Sequence, residues 1–440
     1  MNQFVFESKQ KMTLIGFMVL GALCLAGSFF IDSTADHTRF WSNLLHNTVF
    51  FTGISFLALF VLAAFTTAFA GWYTVMKRIW EAYSQFLLVG IALFAVIIAG
   101  LWGHMHHLYH WAMDGVATPG HENYDRIIAG KSGFLNKGFY TFATLIVLSL
   151  WYFFAMRFRS ISVSEDATGG AGFDHHRRLR IYAALFLPIA GFSSVVLIWQ
   201  WVMSIDAHWY STMYAWYTTA SWFVACLALT IMMLVYLKSK GYYEEVTGEH
   251  LHDLGKYLFA FSVFWTYLWF SQYMLIWYSN NGEETTYFYQ RYDKYPVLFY
   301  GNLIINFVLP FLILMRNSTK RKYGTLVFTS AVVFFGHWWD FFYMIKPGAL
   351  VNVEHAAGHH GHGHEAGAGH GAEGAHDAAG HAADHAASFV DGFTLPGLLE
   401  VGIFLGFTAL FIYLAFSQLS KAAMVPKNDP YLEESLHHHV

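Results

Sequence analysis

Charge is scarce in this chain, and cysteine is scarcer still. Asp, Glu, Lys and Arg make up 12% of the 440 residues, against 56% hydrophobic and 19% aromatic residues. Soluble domains carry about twice that share of charge, so a water-soluble fold is excluded. Cys24 and Cys226 are the only two thiols, and both fall inside apolar segments. That excludes a disulfide framework, a Cys-ligated iron–sulfur cluster and a c-type haem attachment site. Any redox centre served by this protein is expected in other chains. Proline is sparse as well, and only Pro188 and Pro310 interrupt apolar segments near their middles. The net charge of -4 is small, and the basic residues border apolar segments instead of lining one groove, which argues against a nucleic acid partner.

What the chain has in abundance is long apolar runs. A helix needs about 20 apolar residues to cross a bilayer. The pattern predicts ten such spans: Met12–Ile31, Leu44–Thr74, Ile79–Gly103, Gly138–Phe158, Ile181–Ile205, Ala215–Leu237, Leu254–Tyr278, Val297–Met315, Gly324–Ile345 and Gly397–Gln418. The first continues apolar after Lys9 and Lys11 without a small-x-small cleavage pattern and reads as an anchor. No stretch between spans looks able to build its own core, so residues 1–440 read as a single polytopic all-α integral membrane domain.

Basic residues set the expected orientation. Alternate loops, counted from the N-terminus, hold 18 of the 25 Lys and Arg, with Arg157, Arg159, Arg177, Arg178, Arg180 and Arg316, Lys320, Arg321, Lys322 contributing most. Positive charge is retained in the cytoplasm, which predicts a multi-pass protein of the bacterial cytoplasmic membrane with both termini cytoplasmic. Two connections are long. One runs from Gly103 to Asn136. The other, 347–395, is rich in His, Ala and Gly, and its His355, His359, His360, His362, His364, His370, His376, His381 and His385 cannot build a core. Disorder is the expectation there, with metal scavenging or proton buffering as alternatives. His437, His438 and His439 are equally ambiguous.

Polar groups at membrane depth are costly and usually functional. With the orientation above, His46, His104, His106, His107, His110, Asp206, His208, Gln272, His337, Asp340 and Glu400 all fall in the periplasmic third. His104 to His110 also suit hydrated interfacial positions, and Trp111, Trp209, Trp338 and Trp339 suit an aromatic belt. Asp206, Asp340 and Glu400 are the harder residues to explain structurally. The cytoplasmic half offers only Glu81, Tyr83, Ser84, Gln85, Ser193, Ser194, Tyr257 and Tyr267, too thin for a through-channel. Span five ends in Asp206-Ala-His208-Trp209 and span nine in Gly336-His-Trp-Trp-Asp340. An offset of four helices preserves orientation. Two parallel four-helix bundles, helices 2–5 and 6–9, with helices 1 and 10 peripheral, are therefore expected.

Ser204-Ile-Asp206-Ala-His208-Trp209-Tyr-Ser211-Thr212-Met-Tyr214, followed by an aromatic sixth span, resembles the Ser-x-Asp, Trp and Thr pattern between the fifth and sixth helices of NrfD-like membrane subunits. His252-Asp-Leu-Gly-Lys-Tyr257, leading to Phe264-Trp-Thr-Tyr-Leu-Trp-Phe-Ser271-Gln272-Tyr-Met-Leu-Ile-Trp277-Tyr-Ser-Asn-Asn281, strengthens the likeness to the smaller NrfD-like subunit of alternative complex III. That complex is a bacterial quinol:cytochrome c oxidoreductase of the respiratory chain. The likeness covers nearly the whole chain apart from 353–387. It implies ten helices, the middle eight in two four-helix bundles. It also implies as partners a larger ActC-like NrfD-family subunit, an iron–sulfur subunit and multihaem cytochrome c subunits, with a terminal oxidase as a further docking partner and lipid around the helices. Quinol oxidation is assigned to the larger relative. Haem c and the clusters then belong to partner subunits, quinone (menaquinone) to the complex, and this subunit, not catalytic alone, scaffolds and conducts protons. Only Asp206 matches a residue of the family pattern by position.

Quinol oxidation releases two protons with its two electrons, and buried His and carboxylate groups can hold and pass them. The expected periplasmic half-channel uses Asp206, His208, His337, Asp340 and Glu400, joined by His104, His106 and His107. Three rivals stand beside it: a b-type haem cytochrome ligated by His46 with His104 or His337, a secondary transporter of parallel repeats, and a purely structural anchor.

Overall fold

A computed structural model describes residues 3–32, 34–167, 172–361 and 389–439. Among these residues the chain is all-helical, and its β-type pairing is limited to two isolated bridges, Gln3 with Ala423 and Asp391 with Leu395. The long helices in chain order are α1 (Ser8–Phe30), α2 (Thr38–Thr67), α3 (Thr74–Trp102), α4 (Lys137–Ala167), α5 (Asp174–Ile205), α6 (Met213–Ser239), α7 (Gly248–Ser279), α8 (Gly282–Lys294), α9 (Pro296–Leu314), α10 (Tyr323–Gly361) and α11 (Leu398–Leu419). Eight of them, α1 to α6, α9 and α11, are long and apolar enough to cross a membrane. The protein is thus an all-α membrane protein. The other two helices at predicted spans, α7 and α10, are at least as long but carry Trp, Tyr and hydrogen-bonding groups through their middles.

Burial separates central from peripheral helices. The most apolar stretch of α2 is 83% buried, whereas that of α1 is 11% buried. A helix apolar all round belongs in an interior, so α2 sits at the centre and α1 turns most of its surface outward. α2 packs against α3, α5, α6 and α10, and α4 packs against α3 and α5. α6 packs against α7 and α10, and α9 bridges α7 and α10. α1 lies along α11, where small residues let the backbones meet: a Cβ on Gly21 would stand 2.5 Å from the Gly406 Cα. The bridge at Gln3 and the packing of Phe4 on Phe416, ring centres 5.0 Å apart, bring both termini to one end, here the terminal end.

Two prolines shape the helices that build the site. Pro310 cannot donate to the carbonyl one turn back, and α9 widens just before it into a π-helical turn, Ile304–Val308. Pro347 was expected to open the long His-rich connection, but α10 continues through it to Gly361. The reason is local. The Tyr343 carbonyl, which loses its usual donor at Pro347, lies 3.4 Å from Arg291 Nε, and the Met344 carbonyl lies 3.2 Å from Arg291 Nη2. The remaining stretch of expected disorder, 362–388, lies outside the described residues.

Candidate functional site

Asp340 occupies a closed position between α6, α7, α9 and α10, with no exposed surface. Four uncharged donors converge on its carboxyl. Oδ1 accepts from the Tyr217 hydroxyl and from Asn302 Nδ2 at 2.7 Å, and Oδ2 accepts from Ser221 Oγ at 2.8 Å and Trp265 Nε1 at 3.0 Å. The same Ser221 hydroxyl lies 2.9 Å from His337 Nδ1, so one small side chain touches both titratable groups. His337 Nε2 has no protein partner among the described residues. Asn306, on the π-helical turn, donates to Asn302 Oδ1 at 2.7 Å and to the Gly336 carbonyl at 2.9 Å. Gly336 is required for that approach, since a Cβ there would meet Asn306 Oδ1 at 2.3 Å. Asn306 on the widened turn thus holds Asn302, and Asn302 in turn donates to the buried acid.

Glu400 is held in another way. Arg39 grips it with two hydrogen bonds, Nε to Oε1 at 2.8 Å and Nη2 to Oε2 at 3.0 Å. Asn43 adds a third at 3.0 Å, and the Gly397 N–H a fourth at 2.9 Å. Arg39 also meets Asp391 at 3.0 Å. Gly392 covers the pair in a left-handed conformation (φ 78°), and a Cβ there would stand 2.4 Å from Arg39 Nε. Close by, Lys346 is fully buried and donates to Ser42 Oγ at 2.8 Å, with the rings of Phe342 and Phe393 on either side.

Asp206 is paired too, with Arg291 Nη2 at 2.8 Å. The guanidinium lies over Tyr287 at 3.5 Å and has no exposed surface. Asp206 and His208 share a cleft of about 510 Å³ with His110, Asp125, Gln290 and Asn352. There His208 Nε2 lies 2.6 Å from Asp125 Oδ2. Burial works against ionisation of Asp125, but the His208 bond and the N–H groups of Ile128 and Ile127 outweigh it and hold this carboxyl below the usual carboxylate range. Three tyrosines lead from the buried acid towards this cleft. Tyr217 lies 5.9 Å from Tyr214 between ring centres, and Tyr214 lies 6.2 Å from Tyr287.

The eight residues expected to form one relay therefore fall into separate groups. His337 and Asp340 meet through Ser221. Asp206 and His208 share the cleft, and Glu400 belongs to the Arg39 pair. The three loop histidines split: His104 is exposed, His107 meets Asp36 at 2.6 Å, and His106 is buried against Trp41 with Nε2 3.2 Å from the Ile97 carbonyl. The interfacial expectation fails for His106, Trp111, Trp209 and Trp338, all buried within the protein. Trp338 has no exposed surface and donates to Asn47 at 3.0 Å, because α10 is surrounded on that face by α2 and α11. His46 Nε2 lies 2.9 Å from the Trp338 carbonyl, its ring is covered by Trp338 and Phe342, and its Nδ1 has no hydrogen-bond partner among the described residues.

Sequence reasoning missed the partners. Arg39, Lys346 and Arg291 are ionisable residues at or just outside span ends, and that was the available signal. It also undercounted the terminal end. There Arg78 meets Glu81 at 3.2 Å and Asp166 at 2.7 Å, Arg159 meets Glu81 at 3.7 Å, and Lys77 pairs with Asp429 of the C-terminal tail and lies 3.8 Å from Glu165. Burial opposes ionisation of Asp429, yet Lys77 outweighs it and keeps that carboxyl below its ordinary value. This cluster fastens residues 427–429 onto α4, with the Lys427 N–H 2.9 Å from Asp166 Oδ1 and Asn428 donating to the Glu165 carbonyl at 3.0 Å.

No family model matches this chain, and no curated protein matches it.

Proposed function

We propose that this chain is an ActF-like membrane subunit, the smaller NrfD-like component of an alternative complex III, serving as scaffold and proton carrier in a bacterial cytoplasmic membrane with both termini on the cytoplasmic side. Counting α7 and α10 with the eight apolar helices makes ten crossings. The packing of α2, α3, α4 and α5 on one another, and of α6, α7, α9 and α10, supports two four-helix bundles with α1 and α11 outside them. The two thiols sit singly on α1 and α6, which suits a division of labour in which haem c, iron–sulfur clusters and quinol oxidation belong to partner subunits.

The observation that carries the proton reading is Asp340, a carboxyl buried among four uncharged donors and joined to His337 by Ser221. With no Arg or Lys to fix it as a carboxylate, it can hold a proton or pass it on, whereas an Arg-bound carboxylate is held ionised. The tyrosines from Tyr217 to Tyr287 and the cleft at Asp206 and His208 then form the exit side of a half-channel. Glu400 and Asp206, each clamped by an arginine, keep helices in register and frame the path.

The test is purification from native membranes in mild detergent, followed by mass spectrometry of partners and quinol:cytochrome c turnover of Asp340→Asn. Co-purification of multihaem cytochrome c, iron–sulfur and larger NrfD-like subunits, with turnover lost in the assembled variant, supports both halves of the proposal. Partners present with full turnover in the variant leaves a structural anchor. Absence of these partners overturns the complex.

A further inference from the structure

A groove of about 650 Å³ opens between α1, α6, α10 and α11 at the terminal end. Its wall is apolar, built from Met232, Phe334, Phe335, Phe404, Leu405 and Ile412. Along α11 it runs from Phe416 to Phe404. At 1.5 Å per residue that is roughly 18 Å, close to half of a hydrocarbon core about 30 Å thick, so the groove has the depth of one leaflet. Its mouth is polar. Gln10 Nε2 donates to the Tyr236 hydroxyl at 3.0 Å across the gap between α1 and α6. Lys9 and Lys240 flank this bridge, both exposed, and neither forms an ion pair among the described residues. The one carboxylate on the wall, Glu7, sits at the start of α1, where Gln10 returns to its backbone N–H at 3.1 Å.

We propose that this groove holds one anionic phospholipid of the leaflet at the terminal end, acyl chain against the phenylalanines and phosphate between Lys9 and Lys240. Two ammonium groups at headgroup level, above an apolar slot of one-leaflet depth, match that amphiphile in both charge and length. The Gln10–Tyr236 bridge lies where the lipid's ester groups fall and offers them hydrogen bonds. Filling the slot also seals α1 to α6, which otherwise face each other across open space along this edge. The inference depends on the membrane character of the protein and not on its proposed complex.

The experiment is native mass spectrometry of the full chain released from nanodiscs made of equal phosphatidylglycerol and phosphatidylcholine, scoring retained lipid. The wild type is expected to retain one phosphatidylglycerol. In Lys9→Gln/Lys240→Gln the preference for phosphatidylglycerol over phosphatidylcholine should fall about tenfold, because each cation near a headgroup contributes modestly to anionic lipid binding. Ala331→Trp adds bulk on an exposed position of the wall and should empty the groove of either lipid while helical content stays unchanged. Retention without headgroup preference in the wild type, unchanged retention in both variants, or a quinone or polypeptide in place of phospholipid would overturn the proposal.

Discussion

Asp340 and Glu400 are two carboxyl groups without exposed surface in the same protein, and they are stabilised by opposite means. Glu400 has a bidentate arginine, an asparagine and a backbone N–H; Asp340 has a tyrosine, an asparagine, a serine and a tryptophan and no cation. A buried ion pair gains strongly from mutual attraction, but only while both partners are present. Neutral donors bind the carboxyl less tightly and tolerate either protonation state. On the proposed reading, the arginine site stays fixed and the neutral site is the one that changes. Asp206 follows Glu400 in this respect, and its Arg291 does a second task by serving the carbonyl that Pro347 leaves without a donor.

The contrast breaks most visibly if an arginine is removed. Arg39→Met leaves Glu400 buried without its counter-charge, which typically costs about 3–5 kcal/mol. Arg291→Met should be comparably severe, since it strands Asp206 and leaves the Tyr343 and Met344 carbonyls without the donor beside Pro347. Thermal unfolding in detergent and the yield of intact protein measure both. If Arg39→Met unfolds no earlier than Asp340→Asn, the proposed division between fixed and changeable carboxyls is wrong.

Asp340→Asn is the matching change at the other site. The amide keeps the shape and one acceptor but turns an N–H group towards former donors, at a cost of about 1–3 kcal/mol. Assembly should survive. Proton-coupled turnover should drop by about a hundredfold or more, the usual scale for losing a proton-transfer group. Equal loss of stability and turnover, with turnover restored by a stabilising condition, would reduce Asp340 to a structural residue.

How much of this contrast was legible in the sequence depends on distance along the chain. Asp340 and His337 stood out because an ionisable group in an apolar run is conspicuous by itself. Their setting did not, since Ser221, Trp265 and Asn302 come from three other helices, and an all-round apolar helix gives no periodic sign of which face meets which neighbour. Arg291 sat in what read as a short connection, and only the fold carries it under α10. The spans were legible because length and hydropathy are local properties. The helix runs on past Ile345, the expected end of span nine, because the donor that lets it continue through Pro347 lies 52 residues upstream of the carbonyl it serves.

The neutral site can be sharpened through Asn302. Asn302→Leu removes one donor from Asp340 Oδ1 and the acceptor of Asn306, leaving two buried polar groups short of a partner, for a loss of about 1–3 kcal/mol. Because that donor is one of four on the proposed proton carrier, its loss should change the pH profile of turnover in the assembled variant, which the assay reads directly. A profile that keeps the wild-type shape while the protein is destabilised would separate Asn302 from the proton chemistry.

The smallest effect belongs to the water-exposed version of the same problem, Asp125 with His208. Here a carboxyl is held below its ordinary range by a histidine and two backbone N–H groups. A depressed folded-state pKa means that the interaction contributes fully above the unfolded value, about 3.9 for Asp, and is lost as pH falls through the lower, folded value. The helical turn Arg126–Lys131, which Asp125 caps, should therefore exchange its amide hydrogens faster as pH drops through that window, beyond the intrinsic change seen in an unstructured peptide. His208→Gln should weaken the protection at neutral pH by a small factor and leave the exchange of α10 around Asp340 untouched. If protection at Arg126–Lys131 and at Asp340 fell together, the cleft and the buried acid would be one cooperative unit, and the separation between fixed and changeable carboxyls would have to be drawn elsewhere.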